Sequence, residues 1–174
     1  MSNVLQYFND IKAFAFDVDG VLTNGSLIIL PNGVMARTMN VKDGYALQLA
    51  IKKGFKIAII SGGNSIEVIE RLALLGITDV YMNATNKVAA LQDFVAKHNL
   101  NSKHILFMGD DVPDVDVMQQ VGLPCCPADA VDEVKGISKY ISPIAGGQGC
   151  ARDVIEKVMK LASVWVHSHS VVSK

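Results

Sequence analysis

No run of apolar residues in these 174 residues approaches the length that a bilayer-spanning helix needs. Nor is there a polybasic stretch: 16 Lys and Arg stand against 17 Asp and Glu, a net charge of −1 without the cationic stripe that nucleic acid or an anionic membrane calls for. Cysteine is scarce. Cys125, Cys126 and Cys150 are odd in number and lack metal-type spacing, which excludes a disulfide scaffold and a structural zinc site and leaves reduced core residues. Internal repeats and low-complexity linkers are missing too. Met1–Asp10 shows no cationic segment followed by an apolar stretch and a cleavage site, so a cytoplasmic location is expected.

Half of the residues are hydrophobic and only 19% are charged, which points to apolar surface buried between subunits. The length suits one domain with a single core. Strand-type and helix-type segments alternate, with strands expected at Ala13–Asp17, Lys56–Ile60, Asp79–Met82, His104–Met108, Leu123–Cys126 and Tyr140–Ile141. Most of these are continuously apolar, as in strands covered on both faces. The fold class is therefore α/β, a single Rossmann-like doubly wound parallel sheet. Helical spacing assigns core stripes to Ile66, Ile69, Leu72 and Ala73, to Val88, Leu91, Phe94 and Val95, and to Val154, Ile155, Val158 and Leu161. One segment interrupts the alternation: Ser26–Leu30, the turn Pro31-Asn32-Gly33 and Val34–Val41 read as an inserted β-hairpin before a helix starting near Asp43. The tail from about residue 163 to 174, with His167 and His169, is expected to be disordered.

The chemistry gathers at strand ends. Asp17-Val18-Asp19-Gly20 closes the first strand and Gly109-Asp110-Asp111-Val112-Pro113-Asp114 closes the fourth. Clustered carboxylates repel unless protonated or metal-bound, and hard oxygen ligands suit Mg²⁺. Ser61 follows the second strand and Lys87 the third. Alone, each has an ordinary explanation: a turn Asp, a helix-capping Ser, a solvated Lys. Together they occupy the carboxyl ends of strands, where open α/β sheets bind ligands. Asp17 is the expected nucleophile and Asp19 the general acid and base. Asp110 is the distant metal ligand, and Asp111 and Asp114 complete or orient the shell, while the Asp19 main-chain carbonyl also faces the metal. Ser61, Gly62 and Lys87 cradle the phosphate. Receiver domains also use acids, a hydroxyl and a Lys around Mg²⁺, but in a different chain order.

With these motifs in place the chain resembles the haloacid dehalogenase superfamily of phosphatases: Asp17–Thr23, Ser61, Lys87 and Gly109–Asp114 match its four motifs in order. No segment is long enough for a cap domain, which resembles the capless, tetrameric class. The similarity runs from Ile11 to about Leu161, and Asn40–Gly44 and Gly146–Asp153 resemble segments of members that act on sugar-acid phosphates. The resemblance implies that Asn40, Lys42, Asp43, Gly44 and Arg71 contact the sugar acid, that the hairpin joins a central barrel in a homotetramer, and that the tail reaches a neighbouring site. Lys42 and Arg71 also suit a carboxylate remote from the phosphate. Gln48 and Gly63 stand where many relatives carry Arg, and Asp153 where many carry Glu. Phosphatases of nine-carbon sugar acids show an acid at Gly63 and a base at Leu74, so the eight-carbon substrate is favoured. The alternative is a non-catalytic Mg²⁺/phosphate-binding domain, against which the intact Asp17/Asp19 pair argues.

Overall fold

Each central strand turns alternate side chains into one of two separate apolar layers, and that alternation organises the chain. The structure is a computed structural model that describes residues 4–171. After α1 (Leu5–Asn9), β1 (Ala13–Phe16) sends Phe14 and Phe16 to one face of the sheet and Ala13 and Ala15 to the other, all fully buried. The hairpin follows as β2 (Ile28–Ile29) and β3 (Met35–Ala36), then α2 (Val41–Lys52), β4 (Lys56–Ile60), α3 (Ile66–Leu74), β5 (Asp79–Tyr81) and α4 (Lys87–Lys97). The second half contains β6 (Ile105–Met108), α5 (Val115–Met118), β7 (Leu123–Cys126), α6 (Asp132–Ile137), β8 (Tyr140–Ile141) and α7 (Cys150–Leu161). The main sheet has six parallel strands in the order β5-β4-β1-β6-β7-β8. The chain works outward from β1 on one side and then returns to its other side with β6. That reversal lies between β1 and β6 and opens a crevice at their carboxyl ends.

One apolar layer packs Phe14, Phe16, Ile57, Ile59, Leu106 and Met108 under α2 and α7, and the other packs Ala58, Ile60, Ile105 and Phe107 under α4, α5 and α6. Both faces are covered, so the strands read as continuous apolar runs. The three cysteines are free and buried.

Local signals set the boundaries. Asn40 has extended backbone and its Oδ1 accepts the Lys42 N–H at 2.8 Å, so α2 begins at Val41. This shortens the expected Val34–Val41 strand to a two-residue ladder, Ile28 opposite Ala36 and Ile29 opposite Met35. The α3 stripe is also corrected. Val68, Leu72 and Leu75 face the core, whereas Ile66 is 65% and Ile69 37% exposed and Ala73 is exposed too, so of the expected stripe Leu72 alone is buried. In the last stripe Val154, Ile155 and Val158 are buried but Leu161 is exposed. Beyond α7, Val164 and Trp165 pack on the main core, the Tyr45 hydroxyl meets His167 Nδ1 at 2.9 Å, and Val171 is buried. Residues 172–174 of the expected tail lie outside the described residues.

Phe107, fully buried in the layer under α4 and α5, tests this core at the strand that leads to Asp110. Phe107→Ala should cost about 3–5 kcal/mol of stability. The measurement is chemical denaturation: the midpoint should fall with its slope unchanged, and a loss under 1 kcal/mol would contradict the assigned packing.

Candidate active site

Asp17 leaves β1 with its main-chain N–H bonded to the Met108 carbonyl, so the β1–β6 ladder itself fixes where its side chain emerges. Oδ1 accepts the Val18 N–H at 2.6 Å and Oδ2 accepts the Lys87 ammonium at 2.8 Å. Gly20 follows at φ +84°, in the left-handed region, and a Cβ there would lie 1.9 Å from Asp110 Oδ2. Only glycine lets the two acidic loops approach this closely.

Asp114 closes the group. Its Oδ1 accepts the same Lys87 ammonium at 2.6 Å and its Oδ2 the Asp110 N–H at 3.1 Å. Lys87 is the first residue of α4, placed there by Asn86, whose Oδ1 accepts the Ala89 N–H. The ammonium is buried; burial works against its charge, but Asp17 and Asp114 more than offset this and raise its pKa. Burial, and then the charge of Asp114, push Asp17 from 3.8 up to about 6 despite Lys87. Burial, and then the charges of Asp17, Asp114 and Asp111, push Asp110 up to about 7.

Oxygens of Asp17, Asp110 and Asp114 lie within 4.8 Å of one another, and Asp110 Oδ1 is buried without a partner among the described residues. An orphaned carboxylate oxygen beside two more carboxylates fits a hard divalent cation. Two acids named from the sequence do not join this group by their side chains. Asp111 is exposed and its carboxylate caps the turn at Val112, 2.8 Å from that N–H, and Asp19 turns toward the hairpin.

Ser61 is buried and faces the same cavity, about 300 Å³, lined also by Gly62, Gly63 and Lys87. Its Oγ accepts the Gly63 N–H at 3.2 Å. The helix itself starts only at Ile66, so the Ser61–Gly63 turn meets the cavity through its own backbone.

The residues assigned to the sugar acid are spread out. Asn40 caps α2 and its amide donates to the Gly147 carbonyl at 3.3 Å. Lys42 is exposed on the first turn of α2. Asp43 is buried; one oxygen accepts the Arg152 N–H at 2.7 Å, the other has no partner among the described residues, and burial raises its pKa to about 6. Gly44 leaves room for Arg71, whose Nη2 would stand 3.0 Å from a Cβ there. None of these lines the acidic cavity. Arg71 instead lines a neighbouring cleft of about 360 Å³ between the hairpin and α3.

Arg37 joins the two spaces and had no place in the sequence reading. Nε donates to Asp19 Oδ1 at 2.6 Å and Nη2 to Oδ2 at 3.0 Å, a bidentate grip on the expected acid. The available signal was that Arg37 is the one charged residue between Ser26 and Val41.

Asp17 and Asp110 hold protons more tightly in the folded chain than in the unfolded one. Without metal, their contribution to stability is therefore present at low pH and lost as pH rises through about 6 to 7. Thermal melts should show Mg²⁺ raising the midpoint more at about pH 8 than at about pH 5. Equal shifts at both would contradict the clustered-carboxylate site.

A family profile described as haloacid dehalogenase-like hydrolase matches residues 73–152. The 3-deoxy-D-manno-octulosonate 8-phosphate phosphatase of Escherichia coli K12 is 34% identical over 158 residues, 91% of this chain and 84% of that protein. The crystal structure of the Yersinia pestis phosphatase of the same name superposes with a TM-score of 0.91 at 30% identity, covering 94% of this chain and 88% of that one. That from Moraxella catarrhalis, in complex with a magnesium ion, a phosphate ion and the sugar acid, gives 0.88 at 32% identity, with 92% of each chain covered. The chain thus belongs to the haloacid dehalogenase-like hydrolases, in the family of the 3-deoxy-D-manno-octulosonate 8-phosphate phosphatases.

Proposed function

We propose that this chain, as a single hydrolase domain, is a Mg²⁺-dependent phosphatase that converts 3-deoxy-D-manno-octulosonate 8-phosphate to the free sugar acid and phosphate, a step in lipopolysaccharide precursor synthesis. The observation that carries this reading is the Lys87 ammonium bridging Asp17 and Asp114 beside the orphaned Asp110 oxygen, at the crevice where the sheet order reverses. Asp17, Asp110 and Asp114 would hold Mg²⁺, which would neutralise phosphate charge and polarise its oxygens. Asp17 attacks phosphorus and becomes an aspartyl phosphate. Asp19 protonates the leaving sugar oxygen as the P–O bond breaks, then takes a proton from the water that hydrolyses the intermediate. Lys87 and the Ser61–Gly63 turn receive the remaining negative charge.

The hairpin cleft adjoins this cavity through the Arg37–Asp19 pair, so the organic part of the substrate has a place to lie, with Arg71 on its wall for the carboxylate. Related proteins named for this substrate support the assignment. No helix among the described residues is long and apolar enough to cross a membrane, which accords with a cytoplasmic enzyme.

A homotetramer belongs to the same proposal. Ile28 and Ile29 on the hairpin are 56% and 75% exposed, beside Leu27, Leu30 and Met35, and α3 adds Ile66. Exposed apolar residues in such a row mark an interface. A capless site gains enclosure from a neighbouring copy.

Two measurements test these claims. Asp17→Asn should abolish phosphate release from the sugar-acid phosphate, a loss of about 10⁴-fold or more, with circular dichroism unchanged; steady turnover by the pure variant would sink the nucleophile assignment. Ile29→Glu should shift light scattering from tetramer to smaller species, and a wild-type chain already monomeric would overturn the assembly.

A further inference from the structure

Arg37 reaches Asp19 from the edge of the hairpin with a side chain only 5% exposed, and a third bond holds it there, Nη1 to the Met35 carbonyl at 2.9 Å. The guanidinium plane is thereby fixed at both ends. The two oxygens of Asp19 are not equivalent. Oδ1 accepts Arg37 Nε at 2.6 Å and also lies 3.4 Å from the Thr23 hydroxyl, whereas Oδ2 accepts Nη2 alone, at 3.0 Å. A Cβ at Gly63 would stand 3.1 Å from Oδ2 and 3.3 Å from Arg37 Nη2, so the bare glycine keeps the space over Oδ2 open toward the Ser61 turn. Asp19 lines the acidic cavity and Arg37 the hairpin cleft, and their contact forms the border between them.

A carboxylate that delivers a proton must be held close to the line of the breaking bond, and errors of about 1 Å cost roughly 100-fold. Asp19 sits on a loop, and among the described residues its side chain is restrained by hydrogen bonds from Arg37 and Thr23. We propose that Arg37 is a positioning residue for Asp19: its bidentate grip anchors Oδ1 and turns Oδ2 to the leaving oxygen of an ester that has its phosphate over Asp17 and its organic part in the hairpin cleft. This rests on the hydrolase reading above and deepens it. As the proton moves from Oδ2 to the leaving oxygen, the P–O bond breaks and the bond to Asp17 forms. The Nε–Oδ1 contact holds the carboxylate throughout.

Positioning of an acid has a signature that neither a folding defect nor a substrate contact shares. A sugar alkoxide needs protonation to leave, while p-nitrophenolate hardly does. Wild type, Arg37→Met and Arg37→Lys should be compared as full chains with Mg²⁺ on 3-deoxy-D-manno-octulosonate 8-phosphate and on p-nitrophenyl phosphate. For Arg37→Met, kcat on the sugar phosphate should fall about 10- to 100-fold, with KM within about threefold and a loss at least about tenfold smaller on the aryl ester; Arg37→Lys should recover part of it. An equal loss on both esters, or a rise in KM with kcat intact, would overturn the proposal. A wild-type chain that hydrolyses neither ester would refute the hydrolase reading itself, which is visible before any variant is made. A crystal structure of Arg37→Met gives an independent check: Asp19 should rotate away from its wild-type plane, and an unmoved carboxylate would also overturn the assignment.

Discussion

The Lys87 ammonium, shared between Asp17 and Asp114, is the contact on which the rest of the site depends. Three carboxylates gathered at the end of a sheet repel one another, and burial makes that repulsion worse because solvent no longer screens it. One buried cation offsets part of it and leaves a net negative group. Asp110, which makes no hydrogen bond to Lys87, is pushed up to about 7, first by burial and then by the charges of Asp17, Asp114 and Asp111. That residual charge defines a place for a second, divalent cation. A buried ion pair of this kind is weak evidence for stability and good evidence for function, since its desolvation is costly unless something else uses it.

Around that centre the fold divides the work. The rigid sheet positions Asp17 and Asp110 through the register of β1 against β6, Phe16 opposite Met108. Helix α4 delivers Lys87. The irregular insertion after β1 brings Arg37 to Asp19 and an apolar rim to the outside. The same short insertion thus carries a contact to Asp19 and an exposed apolar row that includes Ile28 and Ile29.

The sheet was legible because strands buried on both faces are apolar throughout. Lys56–Ile60 and Leu123–Cys126 were bounded to the residue for that reason, whereas Tyr140–Ile141, also matched to the residue, is a partly exposed edge strand. The acidic motifs were legible because clustered carboxylates at strand ends have few other uses. Less could be read where side-chain direction decides. Asp111 is adjacent to Asp110 in the chain, yet its carboxylate turns away to cap the turn at Val112. The stripe on α3 was misplaced because an exposed apolar face and a buried one show the same helical period, and Ile66 and Ile69 belong to the former. Arg37 lies just after the two-residue strand β3, in a hairpin with no periodicity to speak of, so its partner 18 positions earlier left no spacing signal.

The pairing of β1 with β6 has a consequence for the chain as it is made. During synthesis Asp17 emerges early, but β6, the strand that leads to Asp110, follows only after Lys87 and must pair with β1 on the side away from β4. Such non-local pairing is slow relative to helix formation. A growing chain that stops short of β6 has Asp17, Asp19, Ser61 and Lys87 but neither Asp110 nor Asp114. The carboxylate cluster of Asp17, Asp110 and Asp114 is therefore incomplete until β6 has paired with β1, so a geometry able to hold a divalent cation is assembled only when the two central strands meet.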